Sequence, residues 1–195
     1  MNAPATIVER TAAAVPDKIE VLVRSMTFEA PGVMSLELTP ADGGDLPPFE
    51  PGAHVDLILS GGLIRQYSLW GDPSDPSRYH IGIRAVQGGL SSSFVHRKLR
   101  PGELITISAP RNNFPLVDAA RYVFVGGGIG ITPLIPMMRA TSAAGKSWVL
   151  HYCNRRNEDA PFLKYIAGLG GEVDLGVEHR VRGLLVVLGL HHVAG

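Results

Sequence analysis

Residues 122–133 read Tyr122-Val123-Phe124-Val125-Gly126-Gly127-Gly128-Ile129-Gly130-Ile131-Thr132-Pro133, an apolar run, four glycines within five positions, then a threonine and a proline. A continuous apolar run bounded by glycine fits a strand buried on both faces. Thr132 as N-cap and Pro133 as first helical residue would open a helix reaching to about Ala143. A second apolar strand follows at Trp148–Tyr152, and a further helix is expected around Pro161–Ala167. Strand, helix, strand, helix implies a parallel sheet with crossover helices.

Upstream the rhythm differs. From Lys18 to about Ser108, short runs of Val, Ile, Leu and Tyr are broken by Pro and Gly, the pattern of an antiparallel sheet or barrel. Strands are expected near Ile19–Phe28, Val33–Thr39, His54–Leu59, Ile64–Leu69, Tyr79–Val86 and Leu104–Ser108, with one helix at about Leu90–Leu99. Turn chemistry comes from Asp42-Gly43-Gly44, Pro47-Pro48, Gly61-Gly62 and Asp72-Pro73. The fold class expected is two-domain. A tail at 1–17 precedes a six-stranded antiparallel β-barrel at 18–109, a proline-bearing linker at 110–117, and an incomplete α/β parallel-sheet nucleotide-binding domain at 118–195.

Two segments of the barrel carry candidate chemistry. In Arg65-Gln66-Tyr67-Ser68-Leu69, strand alternation puts Arg65 with Tyr67 on one face and Gln66 with Ser68 on the other. A forked guanidinium suits a phosphate, and a phenol ring can pack against a flavin or its ribityl chain. An ordinary edge strand with one solvated Arg and one half-buried Tyr would use the same residues. The second segment, Gly88-Gly89-Leu90-Ser91-Ser92-Ser93, opens the expected helix. Serines, free backbone donors and the helix dipole make a phosphate site there, or only a capped helix.

The glycines at 126, 127, 128 and 130 do not follow G-x-G-x-x-G, because Ile131 and Pro133 break the spacing. They would still let a pyrophosphate approach the strand's carboxyl end. In place of a ribose-binding acid, the second strand ends in Cys153-Asn154-Arg155-Arg156. Arginines there can hold the 2′-phosphate of NADPH or simply be solvated. Cys153 reads as a small core residue rather than a nucleophile.

Composition narrows the classes. Lys plus Arg total 18 and Asp plus Glu total 18, so no global field draws nucleic acid or an acidic membrane. The single Cys153 cannot form an intramolecular disulfide or supply four thiolates to a cluster. The run Leu184–Leu190 is far shorter than the roughly 20 residues of a spanning helix and is expected to be a core strand or helix. A cytoplasmic setting is expected. No metal site is expected, since His191-His192 lacks a third ligand.

Taken together, Arg65–Leu69, Ser108-Ala109-Pro110-Arg111-Asn112-Asn113-Phe114-Pro115-Leu116, Gly126–Pro133 and His151-Tyr152-Cys153 resemble the ferredoxin reductase-like superfamily. The resemblance is to its phthalate dioxygenase reductase type, which includes reductase components of vanillate demethylases, and covers roughly Lys18 to Leu169. It implies a flavin-binding Greek-key barrel holding FMN, with Arg65, Gly89 and Ser91, Ser92 and Ser93 on the phosphate. Tyr67, Ser68 and Leu69 would lie along the flavin. Gly126, Gly127, Gly128, Gly130, Thr132, Pro133, Asn154 and Arg155 would hold the nicotinamide nucleotide, NADH by habit of the family with NADPH still open.

The resemblance implies no side-chain acid–base step; Ser68 and Thr132 flank the flavin edge and the chemistry belongs to the cofactors. Electrons would pass singly to the 2Fe-2S centre of a ferredoxin or terminal oxygenase. That type continues with a Cys-Gly segment and a four-cysteine ferredoxin domain. The chain after about Gly170 does not resemble that continuation, so a truncated product with an exposed sheet edge is expected. Other functional expectations are a stand-alone flavin reductase or diaphorase, and a catalytically silent flavin-binding module.

Overall fold

The computed structural model describes residues 17–156, 159–177 and 185–190. The tail up to residue 16, Arg180-Val181-Arg182, Leu184 and His191-His192 lie outside the described residues. Six strands form one antiparallel sheet: β1 (Lys18–Ala30), β2 (Val33–Pro40), β3 (His54–Leu59), β4 (Leu63–Ser68), β5 (Tyr79–Arg84) and β6 (Leu104–Ser108). Their order is β4-β3-β6-β1-β2-β5, with β6 inserted between β3 and β1 in Greek-key fashion. A bridge between Leu69 and Ile81 joins the two edges and closes the barrel.

Period-two alternation builds its interior. Val21 and Val23, Leu36 and Leu38, Val55 and Leu57, Ile81 and Ile83, and Ile105 and Ile107 all point into one core. The helix α1 (Leu90–Arg97) adds Val95, and Leu99 just beyond it joins the same core.

The second half carries β7 (Arg121–Gly127), α2 (Leu134–Ala143), β8 (Ser147–Asn154), α3 (Leu163–Ile166), β9 (Glu172–Val177) and β10 (Leu185–Leu190). Strands β7, β8 and β9 are parallel, as the strand-helix alternation predicts. The late apolar run becomes β10, antiparallel to β7 with Leu185 opposite Gly126, so the sheet order is β10-β7-β8-β9. The strand β9 was not expected; its Val173 and Leu175 alternate with Asp174 and Gly176. The core of this half gathers Phe124, Leu134, Met137, Met138, Leu150 and Tyr152.

Two capping expectations are corrected. Thr132 is not an N-cap, because residues 128–131 already form a 3-10 turn and Thr132 has helical φ/ψ; its hydroxyl donates to the Ile129 carbonyl at 3.0 Å. Pro133, the residue before α2, has no side-chain cap either. The N-cap of α1 is Gly89, and no serine caps it. Ser92 Oγ instead turns back to accept from the Val86 N–H at 3.1 Å.

The two halves share a tight seam. Trp70, just past β4, belongs to the second core and packs its ring 4.9 Å from Phe162 and 4.8 Å from Tyr165. Asn112 Nδ2 donates to the Pro51 carbonyl at 3.1 Å, and Lys164 reaches Glu29 at 3.7 Å. Phe162 alone among described non-glycine residues has a positive φ, +66°, at the entry to α3.

Candidate functional site

No residue of β4 is fully buried, so both of its faces are partly open. Arg65, Gln66, Tyr67 and Ser68 all border one cleft of about 590 Å³, although they alternate along the strand. Its other walls are Gly82 and Arg84 of β5, the start of α1 with Gly89, Ser91 and Ser92, and the turn holding Ile129, Gly130, Thr132 and Pro133. The two stretches separated by more than fifty residues in sequence thus face each other across one space.

The end of the cleft expected from sequence to meet a phosphate is lined by Arg65, Gly89, Ser91 and Ser92. The Arg65 side chain is exposed, with one Nη1 donor on the Ile64 carbonyl at 2.7 Å. Ser91 and Ser92 are buried, and Ser91 Oγ lies 3.1 Å from Tyr67 Oη. A Cβ on Gly89 would stand 2.7 Å from Ser92 Oγ and 3.1 Å from the Val86 carbonyl, so only glycine leaves this turn its shape. Ser93 is placed elsewhere, in a neighbouring groove with Leu59, Leu63, Phe94 and Arg97. Leu69 is fully buried in the barrel core and does not line the cleft.

The glycines divide their tasks. Gly126 and Gly127 belong to β7; a Cβ on Gly126 would stand 3.1 Å from Leu134 Cδ1, so this glycine lets the start of α2 close on the strand. Gly130 faces the cleft. Gly128, with φ +53°, lines a second cavity of about 230 Å³ together with Arg84, Ile129, Asn154, Arg155 and Asp159. Tyr152 Oη donates to the Gly128 carbonyl at 2.9 Å and so braces the turn, and burial pushes that phenol well above its ordinary range, keeping it a neutral donor. Asn154 is buried at the end of β8, and its Nδ2 has no partner among the described residues.

A third cavity, also about 230 Å³, opens behind Gln66 and Ser68 and is lined by Gly52, His54, Asn113, Phe114 and Pro133. The His54 imidazole is held below its ordinary value, first by burial and then by Arg111, against the opposing pull of Asp56. A space of about 520 Å³ at the far end of the second sheet, beside Arg121, Lys146 and Trp148, contains none of the residues singled out from sequence.

No protein-family profile matches the chain. The vanillate O-demethylase oxidoreductase of Pseudomonas sp. (strain HR199 / DSM 7063) is 47% identical over 152 residues, 76% of this chain and 47% of that protein. The phthalate 4,5-dioxygenase oxygenase reductase subunit of Pseudomonas putida is 37% identical over 149 residues, 75% of this chain and 46% of that protein. The solved phthalate dioxygenase reductase, described as modular and transferring electrons from pyridine nucleotides to [2Fe-2S], superposes with a TM-score of 0.77 at 32% identity, covering 83% of this chain and 52% of that one.

Over about three quarters of its length the chain is similar to reductases of the phthalate dioxygenase reductase type, with the ferredoxin reductase-like fold.

It spans about half the length of the relatives it matches. Within this ferredoxin reductase-like frame, two residues of β5, Gly82 and Arg84, went unnoticed in the sequence. Arg84 borders both the cleft and the Asn154 cavity, and its Nη1 would be 3.0 Å from a Cβ on Gly128. The signal was present in β5, where Tyr79, Ile81 and Ile83 enter the barrel core, leaving His80, Gly82 and Arg84 on the opposite face. Among the described residues no helix is long and apolar enough to cross a membrane, and no group of three His, Cys, Asp or Glu is placed to hold a metal.

Proposed function

We propose that the chain is the flavin and nucleotide half of a cytoplasmic NADH-oxidising reductase serving an oxygenase or demethylase system, with FMN in the cleft. The observation that carries this proposal is the cleft itself, which faces Arg65, Tyr67, Ser68, Ser91 and Ser92 toward Gly130, Thr132 and Pro133. The cofactors would supply the chemistry, a two-electron hydride transfer from nicotinamide to flavin followed by one-electron release, and the chain's residues would hold the two groups against each other.

The residues present fit those groups. Arg65 offers a permanent charge and forked donors, and buried Ser91 adds a hydroxyl beside the first N–H groups of α1, a donor set matched to a phosphate, while Ser92 spends its hydroxyl on Val86 and Gly89 and holds the turn in shape. The Tyr67 ring, partly packed on the barrel core, presents a rigid plane for the flavin or its ribityl chain. Ser68 supplies a hydroxyl at the flavin edge, and Thr132 and Pro133 wall the nicotinamide side. The unpartnered Asn154 amide and the Arg155 guanidinium sit where a nucleotide would meet the end of β8.

The electron acceptor is the 2Fe-2S centre of a ferredoxin or oxygenase, which the chain's single cysteine cannot ligate. The cavity behind Gln66 and Ser68 favours a second activity, direct reduction of a small acceptor reaching the flavin from the His54 side. The test is anaerobic addition of NADH, and separately NADPH, to the FMN-reconstituted protein. Bleaching of the flavin bands by NADH is expected; a bound flavin that stays oxidised with both donors overturns the reductase function.

A further inference from the structure

Gly82 lies in the middle of β5, a position where glycine weakens a strand and so needs a reason. Its φ is not in the left-handed region, so the reason is space rather than backbone conformation. A Cβ there would stand 2.9 Å from Thr132 Cγ2, 3.0 Å from Ile129 Cδ1 and 3.0 Å from Phe162 Cζ. Its neighbours Ile81 and Ile83 point into the barrel core, so position 82 faces the second half. Thr132 is buried, and its hydroxyl is engaged by the Ile129 carbonyl, leaving its methyl against the bare β5 backbone. Phe162 is buried in the same contact with its positive φ, and it is pinned by Trp70 from the barrel side.

We propose that Gly82 is a positioning residue: its missing side chain sets how closely the Ile129–Pro133 turn approaches the flavin strand, and thereby the gap across which hydride moves. The inference rests on the reductase function proposed above. A side chain at position 82 would wedge the turn away from β5 while leaving Arg65, Tyr67 and the start of α1 in place. Flavin binding would therefore survive while the transfer geometry would not.

The test compares FMN-loaded parent protein with Gly82→Val and with the milder Gly82→Ala. Gly82→Val is expected still to bind FMN saturably and to be fully reduced by dithionite. Its reduction by NADH should fall by about 100-fold, the scale expected of a reacting pair displaced by about 1 Å. The long-wavelength charge-transfer absorbance between bound flavin and nicotinamide should disappear. Gly82→Ala should shift both readouts in the same direction by less. Adding Thr132→Ser to Gly82→Ala, which removes the methyl that a Cβ would meet, should return part of the absorbance. Parental reduction rate and absorbance in a folded Gly82→Val, or in Gly82→Ala should the larger variant not fold, overturn the inference. A parent that binds FMN but is not reduced by NADH overturns the reductase function, and the positioning role falls with it.

Discussion

Tyr67 Oη and Ser91 Oγ lie 3.1 Å apart, tying the edge strand β4 to the first turn of α1. The ring of Tyr67 rests partly on the barrel core, while its hydroxyl reaches the buried Ser91. One contact thus fixes both the ring plane proposed to meet a flavin and the loop proposed to meet its phosphate.

Tyr67→Phe keeps the ring and removes the tie. A net hydrogen bond of this kind contributes about 0.5–1.5 kcal/mol. FMN affinity measured by fluorescence quenching is expected to weaken by roughly 3- to 10-fold, with the flavin spectrum little changed. An unchanged dissociation constant would mean that the hydroxyl does not organise the site.

The nucleotide side is tested through Asn154. Asn154 lines the cavity that also holds Gly128 and Arg155, and its buried Nδ2 makes no hydrogen bond among the described residues. Asn154→Ala should weaken NADH binding by about 10-fold, the scale of one hydrogen bond to a ligand, and leave FMN affinity unchanged. Equal weakening of both ligands would point to a folding defect instead.

The seam between the halves depends on Gly52. Its φ is +95°, and a Cβ would strike the Phe114 carbonyl and stand 2.8 Å from Met137 Cε. Gly52→Ala is expected to cost about 2 kcal/mol or more, through backbone strain and overpacking at one place. Urea denaturation checks this, and an unchanged midpoint would contradict it.

His80 gives a pH dependence with a definite sign. Burial holds its imidazole below the ordinary 6.5, helped by Arg78 and opposed by Glu37 and Asp75. The ring lies 4.8 Å from that of Trp70 at the seam, tilted by 47°. Because the folded state resists the proton, the unfolded chain binds it first as pH falls below 6.5. Stability is therefore fully present above that value and is lost as pH falls toward the lowered folded value. Urea midpoints at about pH 7.5 and about pH 5.5 should show a smaller drop in His80→Phe than in the parent. Equal drops would assign the acid sensitivity to other groups.

Much of the fold was legible because burial imposes simple periods. The alternating Val, Ile and Leu of β1, β2, β3, β5 and β6 mark one wall each, and the glycine turn after Val125 marks the switch to a parallel sheet. The Arg65–Ser68 strand and the Gly130–Pro133 turn were found from local residue chemistry, but their facing each other is a tertiary fact that spacing does not encode. The capping roles of Thr132 and the serines failed because a 3-10 turn had already satisfied the backbone at one, and Ser92 bonded back to the Val86 N–H at the other. Ser93 was grouped with Ser91 and Ser92 by sequence, whereas helix periodicity turns it to another face, and Leu69 lies just past the end of β4, buried in the barrel core. Arg84 and Gly82 escaped notice because their partners come from the second half.

The central claim is that the cleft between β4, α1 and the Ile129–Pro133 turn holds FMN by its phosphate, and the most direct measurement is an equilibrium FMN titration of the parent and Arg65→Ala by flavin fluorescence. The account predicts saturable binding in the parent and weakening by about 10- to 100-fold in Arg65→Ala, as expected for loss of a charge-assisted contact. No saturable binding in the folded parent, or the same dissociation constant in both proteins, would contradict it.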